Sequence, residues 1–173
     1  MTVFKDSGQS GTRRMEFDQR AYRNALGNFA TGVTIVTARG PQGELIGMTA
    51  NSFNSVSLDP PLVLFSIDRK AFSLKNFEQA GSFAINVLRD DQVDHSRIFA
   101  QPLNDKWSGI SYETWETGAP IIAGTIASFD CKTYAIHDGG DHLIFIGRVL
   151  RFIHDPDGRP LLYFRGSYGK VHP

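Results

Sequence analysis

With a single cysteine, Cys131, the 173-residue chain has no means of forming an internal disulfide. That composition suits a reducing compartment, and a cytoplasmic location is the expectation. Net charge is also missing: 18 basic residues cancel 18 acidic ones. No long-range field draws the chain to nucleic acid or to an anionic membrane, so neither is expected as a partner. No apolar run approaches the ~20 residues of a membrane-spanning helix. The opening residues, MTVFKDSGQSGTRR, lack the apolar core of a secretory signal. Residues 1–15 read as a flexible arm, and residues 16–173 as one domain.

Several catalytic signatures are absent as well. There is no GxGxxG after a strand and no GxxxxGK(S/T), and Gly166-Ser167-Tyr168-Gly169-Lys170 is too short for a phosphate loop. There is no GxSxG elbow, which argues against an α/β hydrolase. His137 and His142 flank Asp138 and Asp141, but they lack a recognised ligand spacing. No metal site is expected there.

What is present is a core. Thirteen phenylalanines and a 41% hydrophobic content exclude disorder for the body of the chain. Asp18 is a good cap for a first helix, with Phe17 placed to staple onto Tyr22. Ala21, Ala25, Leu26 and Phe29 give that helix one apolar face. Val33–Ala38 and Glu44–Ala50 form a hairpin about Gly40-Pro41-Gln42-Gly43. Leu62–Ile67 is a strand after Pro60-Pro61. Phe72–Gln79 reads as a short helix with Phe72, Leu74 and Phe77 inward, stopped by Gly81. Phe83–Leu88 is a strand, and Asp90 or Asp91 caps a helix to about Ala100. Gln101–Ala119 has no clear period and reads as an irregular excursion. Thr125–Ile136, a turn at Asp138-Gly139-Gly140, His142–Ile153 and Pro160–Phe164 complete the β-rich last third. Many hairpin strands with a few short helices predict a mainly β fold, a closed antiparallel barrel. The βαβ alternation of a Rossmann domain is missing.

Chemistry concentrates in Gly47–Leu62, GMTANSFNSVSLDPPL. Thr49, Asn51, Ser52, Asn54, Ser55 and Ser57 form a row of short hydrogen-bonding side chains between apolar strands. Such a row suits a polyhydroxyl or phosphate ligand with a flat ring; it also suits a polar strand end with turn residues. In SIDRKAFS, Ser66, Arg69, Lys70 and Ser73 set two cations and two hydroxyls beside a helix start, either a phosphate site or a solvated basic loop. Asn86 interrupts the apolar run FAINVL and needs a partner for its amide. Cys131 reads as a small core hydrophobe rather than a redox group.

Four segments in this order, ATGVTIVT (Ala30–Thr37), the Gly47–Leu62 run, FAINVL (Phe83–Leu88) and GDHLIFIGRV (Gly140–Val149), resemble the short-chain flavin reductase family. The resemblance runs roughly from Phe17 to Tyr168. It implies an FMN-binding split barrel that transfers hydride from NADH or NADPH to flavin N5, with FMN favoured and FAD an alternative. It places Thr49, Ala50, Asn51 and Ser52 along the flavin, and Ser66, Arg69, Lys70 and Ser73 at its phosphate. It puts Asn86 near the flavin, Asp141 and His142 by the nicotinamide, and Tyr168 near the ring. No side chain is implied as a catalytic acid or base, since alignment of the two cofactors carries the step. A homodimer with the sites at its interface is implied. The reduced flavin goes to a partner monooxygenase, or a held FMN reduces a bound acceptor such as a cob(II)alt corrin or a ferric chelate. A non-catalytic FMN-binding module and a pyridoxamine-phosphate-oxidase-like enzyme are the readings from other classes. The GDH and ATGVTIVT motifs speak for the reductase.

Overall fold

The computed structural model describes residues 18–103 and 105–171. Both the arm assigned to residues 1–15 and the Phe17 staple lie outside the described residues. Asp18 caps the first helix, α1 (Gln19–Leu26), its carboxylate accepting from the N–H groups of Arg20 and Ala21 at 2.9 and 3.2 Å. None of the side chains of α1 is buried.

The next elements are β1 (Thr31–Gly32), β2 (Thr34–Arg39), β3 (Leu45–Ala50), β4 (Asn54–Leu58) and β5 (Pro61–Asp68). Then come α2 (Leu74–Ala80), β6 (Ser82–Val87), α3 (Val93–Ala100), β7 (Tyr112–Thr114) and β8 (Pro120–Ile122). Two long strands, β9 (Ala127–Gly139) and β10 (His142–His154), precede β11 (Leu161–Phe164) and β12 (Ser167–Lys170). The fold is mainly β with three helices among the described residues, as expected. Its main sheet has seven antiparallel strands in the order β3-β2-β6-β9-β10-β5-β4, and a smaller one the order β1-β11-β12.

Alternation drives the core. In β5, Val63, Phe65 and Ile67 point inward while their neighbours are partly or wholly exposed. Phe65 packs its ring 4.9 Å from Phe83, 5.0 Å from Phe145 and 5.7 Å from Phe77. These four rings belong to one buried core cluster, within the favoured range of aromatic separations.

Three expectations are corrected. The barrel is not closed by backbone pairing, because β3 and β4 are free edges of the main sheet. Side chains bridge and cover the opening instead. Ser52 Oγ donates to Ser66 O at 3.0 Å and accepts from Ser66 N–H at 2.9 Å, as a paired strand residue would. On the outer edge of β3, Trp107 Nε1 donates to Leu45 O, Lys106 Nζ donates to Gly47 O, and the Thr49 hydroxyl donates to Ser96 O. Desolvation in this strap holds the Lys106 ammonium below the usual lysine range. Phe72 is the second correction: it is 78% exposed and lies before α2, while Phe77 alone on that helix is buried. Gly81 does end α2, in a left-handed conformation at φ 66°. Third, α3 starts at Val93 with Gln92 at its cap. The Asp90 N–H is held by Arg159 O at 2.9 Å, so the chain is still pairing where the sequence reading starts the helix.

Candidate active site

A cleft of about 1110 Å³ opens between the end of α1, the link from β3 to β4, the start of β10 and the β11–β12 turn. Its polar wall is made by Asn51, Ser52, Thr31 and His142, and its other rim by Arg23, Asn24, Asn28 and Arg165. Leu26, Phe29 and Tyr163 supply apolar surface. The volume is ample for a flat tricyclic ligand, and the lining mixes a few convergent polar groups with aromatic surface. A second hollow of about 480 Å³, around Tyr134 and Leu150, contains none of the predicted residues.

Three predicted residues from two distant motifs line this cleft: Asn51, Ser52 and His142. Asn51 is exposed and donates to Thr31 Oγ1 at 3.3 Å. His142 starts β10 opposite Asp68 of β5, and its Nδ1 lies 2.7 Å from Asp141 Oδ1. Others stand one layer behind. Ser66 holds Ser52 through its backbone, and Tyr168 packs edge-on to Tyr163 at 5.5 Å while its hydroxyl meets Ser96 Oγ at 2.9 Å. Arg69 ties down the hairpin tip beside His142: Nε donates to Gly140 O at 2.8 Å and Nη2 pairs with Asp138 at 2.8 Å. Lys70 is exposed next to it, and Ser73 Oγ lies 3.9 Å from Met48 Sδ.

Thr49, Ala50 and Asn86 face elsewhere. Thr49 donates its hydroxyl to α3, and Ala50 is buried in the core. Asn86 is fully buried among β2, β8 and β9, with its amide satisfied on both sides by protein groups. The polar residues of α1 and the β11–β12 turn, by contrast, lie outside the predicted set. Arg23 and Asn24 read in sequence only as the solvent side of an amphipathic helix. No spacing rule brings Arg165 to them across the fold.

Electrostatics stiffen the hairpin tip. The Arg69 guanidinium holds the Asp138 carboxyl below its usual range, and the hydrogen bond from His142 does the same for Asp141. Carboxylates that ionise more readily in the fold favour it above the ordinary carboxylate range. That contribution is lost as pH falls through the depressed values. Amide exchange, corrected for its intrinsic pH dependence, is therefore expected to quicken at residues 138–142 in strong acid while the middle of β10 stays protected. Unchanged protection at the tip would show that these ion pairs do not hold it.

The description "Flavin reductase like domain" matches residues 26–172. A relative from Agrobacterium fabrum, the FMN reductase (NADH) SmoA, is 47% identical over 153 residues, covering 88% of this chain and 86% of its own length. The reductase subunit HsaB of a flavin-dependent monooxygenase from Rhodococcus jostii is 37% identical over 167 residues, covering 96% and 85%. Among solved structures, the NADH:FAD oxidoreductase SgcE6 of Streptomyces globisporus, in complex with NAD and FAD fragments, superposes with a TM-score of 0.86 at 38% identity. That match covers 90% of this chain and 94% of the other. The chain belongs to the flavin reductase-like family. Its activity is that class's oxidoreduction: it is an NAD(P)H-dependent flavin reductase.

Proposed function

We propose that this cleft binds FMN in preference to FAD and admits NADH or NADPH beside it, and that the reduced flavin serves a partner monooxygenase. The observation that carries the reading is the meeting of Asn51 and Ser52 with His142 across one opening. The donor set fits a flavin. Asn51 and Thr31 offer an amide and a hydroxyl to the ribityl chain or the ring's polar edge, and Phe29 and Tyr163 offer surface to the ring. Lys70 and Ser73, beside Arg69, are the groups proposed for one terminal phosphate. His142 and Asp141 are the groups proposed for the nicotinamide side. When bound, flavin and nicotinamide supply the redox chemistry. The side chains bind, orient and exclude water, so no proton-transferring residue is required.

A homodimer is part of the proposal. Leu26 is 58% and Phe29 78% exposed at the cleft, and Leu58 and Phe72 are exposed as well. Apolar surface of this kind marks an interaction face, and a two-fold dimer is the commonest closed assembly. A cytoplasmic setting agrees with the free, buried Cys131, whose thiol burial pushes well above its ordinary range. Among the described residues no helix is long and apolar enough to cross a membrane. The monooxygenase partner rests on relatives such as HsaB, whose name identifies it as a reductase subunit.

Competitive titration of FMN against FAD, with stopped-flow NADH oxidation and light scattering on the same protein, tests these points. FMN is expected to bind more tightly, and the loaded protein to scatter as a dimer. Tighter FAD binding would place a second nucleotide half in the cleft. A flavin-loaded monomer at micromolar concentration would sink the interface.

A further inference from the structure

The turn joining β11 to β12 is only Arg165-Gly166, and both residues are left-handed, with φ of 48° and 80°. Two-residue hairpin turns of this hand favour Asn-Gly or Asp-Gly. An arginine there carries the steric cost of a Cβ in that region. A sequence serving the turn alone has a cheaper residue available. Such a departure calls for a role for the side chain.

The side chain is held with unusual care. Nε and Nη2 of Arg165 both donate to Asn28 Oδ1, at 2.9 and 2.7 Å. Asn28 is itself fixed, its Nδ2 donating to Asn24 O at 3.0 Å and Ala25 O at 3.2 Å at the end of α1. The backbone of the turn is tied to the same place, with Arg165 N–H donating to Gly27 O at 3.0 Å. A neutral amide oxygen orients the guanidinium without neutralising it. Arg165, Asn28 and Arg23 all line the cleft. They stand on elements separate from the Arg69–Lys70 patch.

We infer that Arg165, set by Asn28 and flanked by Arg23, is a preorganised clamp for a nucleotide phosphate in this cleft, distinct from the Arg69–Lys70 patch. This rests on the cofactor reading of the cleft given above. The shared chemistry is a phosphate or pyrophosphate, carried by either the dinucleotide or the flavin. A fork already ordered before binding loses little entropy when it meets an anion.

The test measures dissociation constants for inorganic pyrophosphate, NAD+, FMN and riboflavin on the wild type, R165Q, R165K and R165G. R165G keeps the left-handed turn and serves if R165Q folds poorly. Loss of a charge-assisted pair is expected to weaken a phosphate-bearing ligand by tenfold or more. R165K is expected to recover part of this, and riboflavin, which has no phosphate, to bind all variants alike. A shift confined to NAD+ assigns the clamp to the dinucleotide, and one confined to FMN assigns it to the flavin; either supports the inference. Unchanged affinities for pyrophosphate, NAD+ and FMN in R165Q and R165G overturn it, as does an equal loss for riboflavin. If the wild type binds neither flavin nor NAD+, the cofactor reading itself falls, and the clamp with it.

Discussion

Replacing Asn86 with leucine is expected to lower folding stability by about 3 kcal/mol or more, while leaving the flavin affinity of the folded fraction close to wild type. Asn86 is 0% exposed. Its Nδ2 donates to Ile35 O at 3.1 Å and Thr37 Oγ1 at 3.2 Å. Its Oδ1 accepts from Ile122 N–H at 2.9 Å and from the Ser128 hydroxyl at 3.2 Å. One amide thus stitches β2, β8 and β9 together where no backbone ladder joins all three. Leucine keeps the branching but is bulkier, orphans the Ile122 N–H and strips partners from buried oxygens, each lost partner at a cost of about 1–3 kcal/mol. Inside a low-dielectric network these losses reinforce one another. Urea unfolding followed by fluorescence measures the first quantity, and flavin titration below the transition measures the second. A variant of normal stability with much weaker flavin binding would return Asn86 to the site.

Replacing His142 with alanine is expected to raise the KM for NADH, or to slow flavin reduction, by about ten- to a hundredfold, the size of one or two hydrogen bonds. Flavin affinity is expected to change far less. The ring lies at the first position of β10, where the backbone pairs with Asp68 on one side and Gly139 on the other. Its side chain is 42% exposed, and Nδ1 is engaged by Asp141 at 2.7 Å. That contact fixes the ring and makes Nε2 the nitrogen available to a carboxamide or a phosphate. Stopped-flow traces at several NADH concentrations separate binding from reduction. A variant that binds flavin tenfold worse yet uses NADH normally would place His142 on the flavin side. Wild-type values throughout would make it a solvated turn residue. Cys131→Ala, remote from the cleft, is the matched control.

Strong local signals made much of the fold legible. Asp18 caps its helix, the turn Gly40 to Gly43 reverses β2 into β3, and Gly81 stops α2, each through short-range chemistry. The weakly patterned strands were not legible. β4 carries only Val56 and Leu58 as apolar residues, and both are exposed, so no alternation marks it. In β12, a run of four residues gives too little pattern to read. The site divides in the same way. Asn51, Ser52 and His142 sit in segments whose composition stands out. Arg165 and Asn28 meet across 137 positions of sequence, and only the packing of β11 and β12 against the end of α1 brings them together. Asn86 shows the converse: an amide in an apolar run demands partners, but the run does not say whether they are a ligand or the protein.

The strap over β3 bears on how the protein behaves in a crowded cell. An open sheet offers its last strand as a template, on which an extended segment of another chain can add by backbone pairing. Here the carbonyls of Leu45 and Gly47 are already engaged by the indole of Trp107 and the ammonium of Lys106. An incoming strand would have to displace both, stranding an indole N–H and a half-buried cation. At β3 the sheet is thus terminated rather than closed, and a few side chains from an irregular loop give that edge the resistance to aggregation that a complete barrel obtains from its hydrogen-bond ladder.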